Sequence, residues 1–169
     1  MIDENSTPEE IAAWKAKVEE EAAPAARELS ETARAQILAM AEAEGWSDSQ
    51  ADWLDKLAKQ PLFQMIADGV PGSEALEKAY AIARRKLTVG YFDHALDEGK
   101  NRYTAFLTVI DLEKQVTERR GAPAPEYPDA ILLEACRAVE AAAERGASSE
   151  DQIATGFAVI RELMEQPQQ

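Results

Sequence analysis

The stretch from residue 101 to residue 121, NRYTAFLTVIDLEKQVTERRG, decides the fold class. Its apolar side chains recur every three or four residues, which is the period of an α-helix. They fall on two faces: one holds Tyr103, Phe106, Leu107 and Ile110, and the other holds Val109, Leu112 and Val116. Because a helix that is apolar on two faces usually packs against neighbours on both, this segment predicts the central helix of a bundle.

The helical period continues on both sides of this stretch, in segments that begin and end at recognisable helix-capping and helix-breaking residues. Thr7-Pro8-Glu9-Glu10 and Ser47-Asp48-Ser49-Gln50 are capping boxes, which begin helices. Pro24 predicts the end of a helix or a kink in it, because proline lacks a backbone donor and clashes with the preceding turn, and Pro61 predicts the start of a new short helix. The three prolines of segment 122–128 predict an extended connector. Since no segment shows strand alternation, we predict an all-α fold, an irregular bundle of about seven or eight helices.

The same signals divide the chain into three parts. We predict an acidic N-terminal helix over residues 1–23, either detached or docking onto a partner, because Pro24 would separate it from the bundle. Residues 24–165 form the helical bundle domain, and residues 166–169 form a frayed tail. A solenoid of stacked helix pairs is the alternative architecture. Gly90, inside a long helix, predicts either a weak point or a site of close packing.

The charge distribution excludes several classes of function. The net charge is −14, with 14 acidic and 6 basic residues over 1–60, a balanced middle over 61–121, and 9 acidic against 3 basic residues over 122–169. Nucleic-acid-binding domains normally need a basic footprint, and anionic membranes repel acidic proteins, so we expect no direct contact with either. The run from Ser47 to Leu87 loosely resembles a helix-turn-helix, but its basic triplet lies far from the position that reads bases.

Three features of the sequence predict a cytoplasmic location. The N-terminus lacks the basic and apolar regions of a signal peptide. No apolar run approaches the ~20 residues that span a bilayer. One cysteine cannot form an internal disulfide, which is typical of a reducing compartment.

Residues for catalysis or metal binding are scarce. His94 is the single histidine and Cys136 the single cysteine, and Cys136 lies on an apolar stripe, where a buried core thiol is expected. Asp93 and His94 suggest solvated helix charges rather than a metal site, which needs more convergent ligands. Glycine-rich phosphate loops are absent from the sequence. We therefore predict no enzyme, no catalytic residues, no cofactor and no metal.

The candidate partner-binding residues lie near the N-terminus. Trp14 sits between Ile11 and Val18 on one helical stripe, which suits insertion into a partner's groove or a dimer contact. Docking onto its own bundle is the competing interpretation. The predicted site consists of Trp14, Glu19, Glu20, Glu21, Glu28 and Glu31. The acidic residues would face a basic surface, although charge runs on helices often only face water. Trp53, on an amphipathic stripe, is predicted to be a core residue.

These observations favour a binding function. The leading hypothesis is a non-enzymatic protein-binding module, an inhibitor or adaptor acting on a basic surface of a protein partner. In size, acidity and helix content the chain is similar to small phage- or mobile-element-encoded proteins, including inhibitors of host defence. The alternatives are a nucleic-acid mimic that occupies a nucleic-acid-binding groove, and a homo-oligomeric structural or assembly protein.

Overall fold

A computed structural model describes the chain from Thr7 to Gln166, except for the side chains of residues 18, 19, 21–23 and 25. Residues 1–6 of the predicted N-terminal helix and residues 167–169 of the predicted frayed tail lie outside the described residues. The described helices are α1 (Pro8–Glu44), α2 (Asp48–Ala67), α3 (Gly72–Asp97), α4 (Arg102–Arg119), α5 (Asp129–Glu144) and α6 (Ser149–Glu165). From Thr7 to Gln166 there is no strand, and the predicted all-α fold is confirmed.

Two predicted helix boundaries are wrong, because α1 runs through Pro24 and α2 runs through Pro61. A proline inside a helix removes one backbone hydrogen bond but does not have to end the helix. Around Pro24 the sequence is Ala-Ala-Pro-Ala-Ala, and alanine has the highest helix propensity. Directly after Pro61, Leu62 is 2% exposed, so burial of its side chain offsets part of the cost.

The chain divides into two compact units, Met1–Gln36 and Ile37–Gln169. The division lies within α1, whereas the sequence predicted it after residue 23. In the first unit, the described backbone from Pro8 to Gln36 is helical throughout. We call residues 8–36 the N-terminal segment.

The second unit is the helical bundle. In it α5 packs on α6 and α2 on α3, while α4 contacts both α3 and α5. As predicted, α4 packs against neighbours on two sides, while α3 contacts α2, α4 and α6. Its Phe106 is fully buried and meets Phe157 edge-to-face, with ring centroids 5.5 Å apart. The main core cluster also includes Phe92, Val109, Ile110, Val139, Ile153 and Ile160.

The ends of the helices follow the local sequence signals. Both predicted capping boxes form: the Thr7 and Glu10 side chains bond reciprocally to each other's backbone N–H, and Ser47 and Gln50 do the same. Gly45 ends α1 with a φ of +93°, which glycine adopts without strain. A Cβ at Gly45 would collide with the Val116 carbonyl oxygen, so this glycine also permits the end of α1 to approach α4.

Candidate functional site

The predicted partner-binding residues lie on an exposed helix. Trp14 is 45% exposed, and the side chains of Glu20, Glu28 and Glu31 are exposed as well. The side chains of Glu19 and Glu21 lie outside the described part of the structure. Among the side chains described between residues 7 and 32, none is buried. The helix therefore presents its apolar side chains to solvent together with its charged ones.

Apolar side chains of the N-terminal segment share one face. At about 100° per residue, Ile11, Trp14 and Leu29 fall within about 60° of one another around the helix axis. Leu29 is 38% exposed and Ile11 is half-buried. The same geometry places Glu10 and Glu28 along the border of this face, and places Glu20 and Glu31 opposite it. We call Ile11, Trp14 and Leu29 the Trp14 face.

The prediction that Trp53 belongs to the core is wrong, because this side chain is 53% exposed. The buried apolar residues of α2 are Ala51, Leu54, Ala58 and Leu62, and they form a single stripe at helical spacing. Trp53 lies beside that stripe rather than on it. Sequence periodicity did not separate the two positions, since Trp53 and Leu54 are adjacent and both apolar.

Trp53 forms one wall of a groove of about 490 Å³ between α2 and α3. Its lining residues are Trp53, Leu57, Lys86, Leu87, Gly90, Tyr91 and His94, and we call it the Trp53 groove. No atom lies within 4 Å of where a Cβ on Gly90 would sit, so Gly90 is not a site of close packing. The missing side chain instead leaves the floor of the groove open.

Hydrogen bonds from neighbouring helices hold the wall formed by Tyr91. The Gln50 side-chain amide donates to the Tyr91 hydroxyl at 2.9 Å, and Arg119 donates to the Gln50 carbonyl oxygen at 3.0 Å. Gln50 is 7% exposed, so its bond to Tyr91 is largely shielded from water, whereas Arg119 is exposed. On the opposite wall, the Lys56 ammonium lies 4.8 Å from the centroid of the Trp53 ring, in cation–π geometry. Gln50 therefore holds the Tyr91 wall in place, and Lys56 stacks on the Trp53 wall.

The groove differs in charge from the rest of the chain. Of the described residues that line it, Lys86 and His94 are basic and none is acidic. The imidazole of His94 is 73% exposed and lies 3.4 Å from the Glu98 carboxylate at the end of α3. A protein of net charge −14 thus carries an apolar groove with a basic lining.

A second cleft, of about 470 Å³, lies among α3, α4 and α6. Its apolar floor includes Val89, Val109, Leu112, Ile153 and Phe157. Its charged lining has both signs, with Arg84, Arg85, Glu113 and Glu150. Burial raises the pKa of Glu113, and the hydrogen bond that the Tyr127 hydroxyl donates at 3.1 Å partly opposes this. Arg84 is also engaged, since it donates to Glu44 at 2.9 Å.

Candidate metal ligands do not converge in the described residues. Cys136 is buried, as predicted, and burial raises the pKa of its thiol to about 11. Asp93 accepts a hydrogen bond from Ser149 at 2.5 Å. No group of three or more His, Cys, Asp or Glu side chains between Thr7 and Gln166 is arranged to hold a metal ion. In the same part of the chain, no helix is both long and apolar enough to cross a bilayer.

Comparison with known proteins finds no matching family model, no matching curated protein and no matching solved structure. Function is therefore inferred from the two exposed apolar surfaces, the Trp14 face and the Trp53 groove.

Proposed function

We propose that this chain is a non-enzymatic protein-binding module whose N-terminal segment is a recognition helix. The helix inserts its Trp14 face into an apolar groove on a partner protein, and its acidic residues meet basic groups at the rim of that groove. Such a module acts by blocking or bridging its partner, as an inhibitor or adaptor of the kind that phages and mobile elements encode. The exposure of Trp14 within a continuous helix is the observation that carries the proposal.

Physical reasoning supports this use of the helix. Isolated helices are only marginally stable in water, because most helical stability in proteins comes from packing of the apolar face. A helix with exposed Trp14 and Leu29 therefore gains stability when a partner covers that face. Tryptophan is also enriched among the few residues that dominate the binding energy of interfaces.

The charges of the segment favour a partner of opposite sign. Residues 8–36 contain seven acidic and four basic residues. Glu10 and Glu28 border the Trp14 face, where they would meet the rim of a groove. Complementary charges of this kind raise association rates and select against acidic partners.

The test is affinity capture with the full chain as bait, followed by affinity measurement with the purified captured protein. Trp14→Ala is expected to weaken binding by about 30-fold or more, as for an anchor residue. Ala16→Gln is the matched control, since residue 16 is exposed on the opposite side of the same helix. This variant is expected to bind like the wild type.

A charge-reversal variant separates recognition by a helix from mimicry of nucleic acid. If Glu19→Lys, Glu20→Lys and Glu21→Lys together abolish binding while Trp14→Ala has no effect, the segment acts through its charge array and the proposal is wrong. If nucleic acid also displaces this protein from its captured partner, the protein is a nucleic-acid mimic. An anchored helix is instead expected to resist displacement by nucleic acid.

A further inference from the structure

The chain carries two surfaces that complement each other, and we propose that they bind between copies. In this arrangement two copies associate reciprocally, with the N-terminal segment of each lying in the Trp53 groove of the other. Trp14 is the anchor of each contact. The inference rests on the proposed function, since it names a second copy of this chain as a partner of the same recognition helix.

The shape of the Trp53 groove suits a helix. On α2, Trp53 and Leu57 lie one turn apart, and on α3 the lining residues Leu87, Tyr91 and His94 follow one another on successive turns. The groove is therefore elongated along two helices. An amphipathic helix docks in such grooves through anchors at the same spacing of three or four residues. Ile11 and Trp14 supply two anchors at this spacing, and Val18 comes next at the same spacing in the sequence.

The charges select the N-terminal segment as the occupant. The groove presents the charged Lys86, with Lys56 stacked on Trp53 at its edge. The Trp14 face is bordered by Glu10 and Glu28. Two copies of a protein with a net charge of −14 repel each other in general. This repulsion is reduced on the α3 side of the groove, because residues 61–121 contain nine acidic and nine basic residues.

Reciprocal exchange gives a closed dimer. Each copy offers one helix and one groove, and a two-fold axis makes the two helix–groove contacts equivalent. In the closed dimer, the Trp14 face and the Trp53 groove of each copy are both covered. We therefore expect a dimer rather than an open filament.

Sedimentation velocity of the full chain over a range of concentrations tests the inference. The wild type is expected to reach twice the single-chain mass of 18.6 kDa. Trp14→Ala and Trp53→Ala are each expected to weaken dimerisation by about 30-fold or more. Leu133→Ala is the control, since Leu133 is 43% exposed on α5, outside both surfaces, and it is expected to dimerise normally. Thermal melting of each variant checks that the bundle remains folded.

Mixing the two tryptophan variants distinguishes reciprocal exchange from other dimers. A heterodimer of Trp14→Ala with Trp53→Ala has one intact helix–groove contact, whereas each variant alone has none. The mixture is therefore expected to associate more tightly than either variant alone.

Several outcomes would overturn the inference. A wild-type chain that remains monomeric would do so, including one whose helix docks onto its own groove. If Trp53→Ala leaves the dimerisation affinity unchanged, the dimer forms through contacts between the two helices. If Trp14→Ala leaves it unchanged, the dimer forms through contacts between the two grooves. If the chain is monomeric while capture of another protein still requires Trp14, the inference fails and the proposed function stands.

Discussion

Gly156 shows how one residue determines the packing of the core. A Cβ at this position on α6 would lie 2.5 Å from Cζ of Phe106 and 2.8 Å from Cγ2 of Val139. Both of these side chains are fully buried, so neither can move aside into solvent. No signal in the sequence indicates this role, because an isolated glycine in a helix does not reveal which neighbour approaches it.

We predict that Gly156→Ala lowers the free energy of unfolding by about 1–2 kcal/mol. Overpacking of a core costs about 1–3 kcal/mol, and the gain in helix propensity returns at most about 1 kcal/mol. Gly90→Ala is the matched control, since a Cβ there meets no atom within 4 Å. It is expected to stabilise the protein by about 0.5–1 kcal/mol. Urea unfolding measures both changes, and an increase in stability for Gly156→Ala would contradict close packing at this position.

Glu113 makes stability depend on pH. Burial raises the pKa of its carboxyl above the ordinary value of 4.5, so the folded state holds the proton more tightly than the unfolded state. The tighter hold on the proton adds to the free energy of unfolding. This added stability is fully present below pH 4.5 and is lost as the pH rises through the raised pKa. Once the carboxyl has lost its proton, the folded state carries a desolvated carboxylate, which is unfavourable.

We accordingly predict that Glu113→Gln raises the melting temperature at pH 7 but not at pH values below 4.5. The glutamine carbonyl can still accept the hydrogen bond from Tyr127. Glu118→Gln on the same helix makes the same change of charge at an exposed position and serves as the control. Equal effects of the two substitutions at pH 7 would show that burial of Glu113 is not the cause.

At the scale of the element, α1 shows where sequence reasoning succeeded and where it failed. The capping box at Thr7 was predicted correctly, because such a signal depends on a few neighbouring residues. The break at Pro24 was wrong, because the penalty of one proline competes with the propensity of the flanking alanines, and the single residue does not reveal which prevails. The exposure of Trp53 was missed for a different reason. The position of α3 determines which side of the buried stripe on α2 is covered. That position depends on tertiary packing and not on the local sequence.

We predict that Pro24→Ala stabilises the helix of the N-terminal segment by as much as about 3 kcal/mol, since an interior proline costs about this amount. The circular dichroism signal of helix at about 222 nm should decline less on warming than in the wild type. Pro8→Ala is the control, because Pro8 is the first helical residue, where proline is well tolerated. A loss of helix signal in Pro24→Ala would contradict the continuous α1.

At the scale of the molecule, the two units are expected to differ in local stability. Side chains described between residues 7 and 32 are not buried, whereas α4 carries the fully buried Phe106 within the core cluster. Amides in helices with few buried contacts open at low free-energy cost, and core amides open only at a cost close to that of global unfolding. The all-α class was predictable because the helical period extends along the whole chain. The two proposed binding surfaces differ in how far sequence suggests them, since the sequence offers Trp14 as a candidate contact but gives no sign of the Trp53 groove.

Hydrogen exchange of the full chain, free and bound to the protein that it captures, tests the central claim most directly. In the free chain, measured at a concentration too low for dimers to form, the amides of residues 8–36 are expected to exchange much faster than those around Phe106. On binding, the largest slowing should occur in residues 8–36, because covering the Trp14 face stabilises that helix. Complexes in which these amides exchange as in the free chain, with protection appearing only elsewhere in the bundle, would contradict the assignment of the N-terminal segment as the recognition helix.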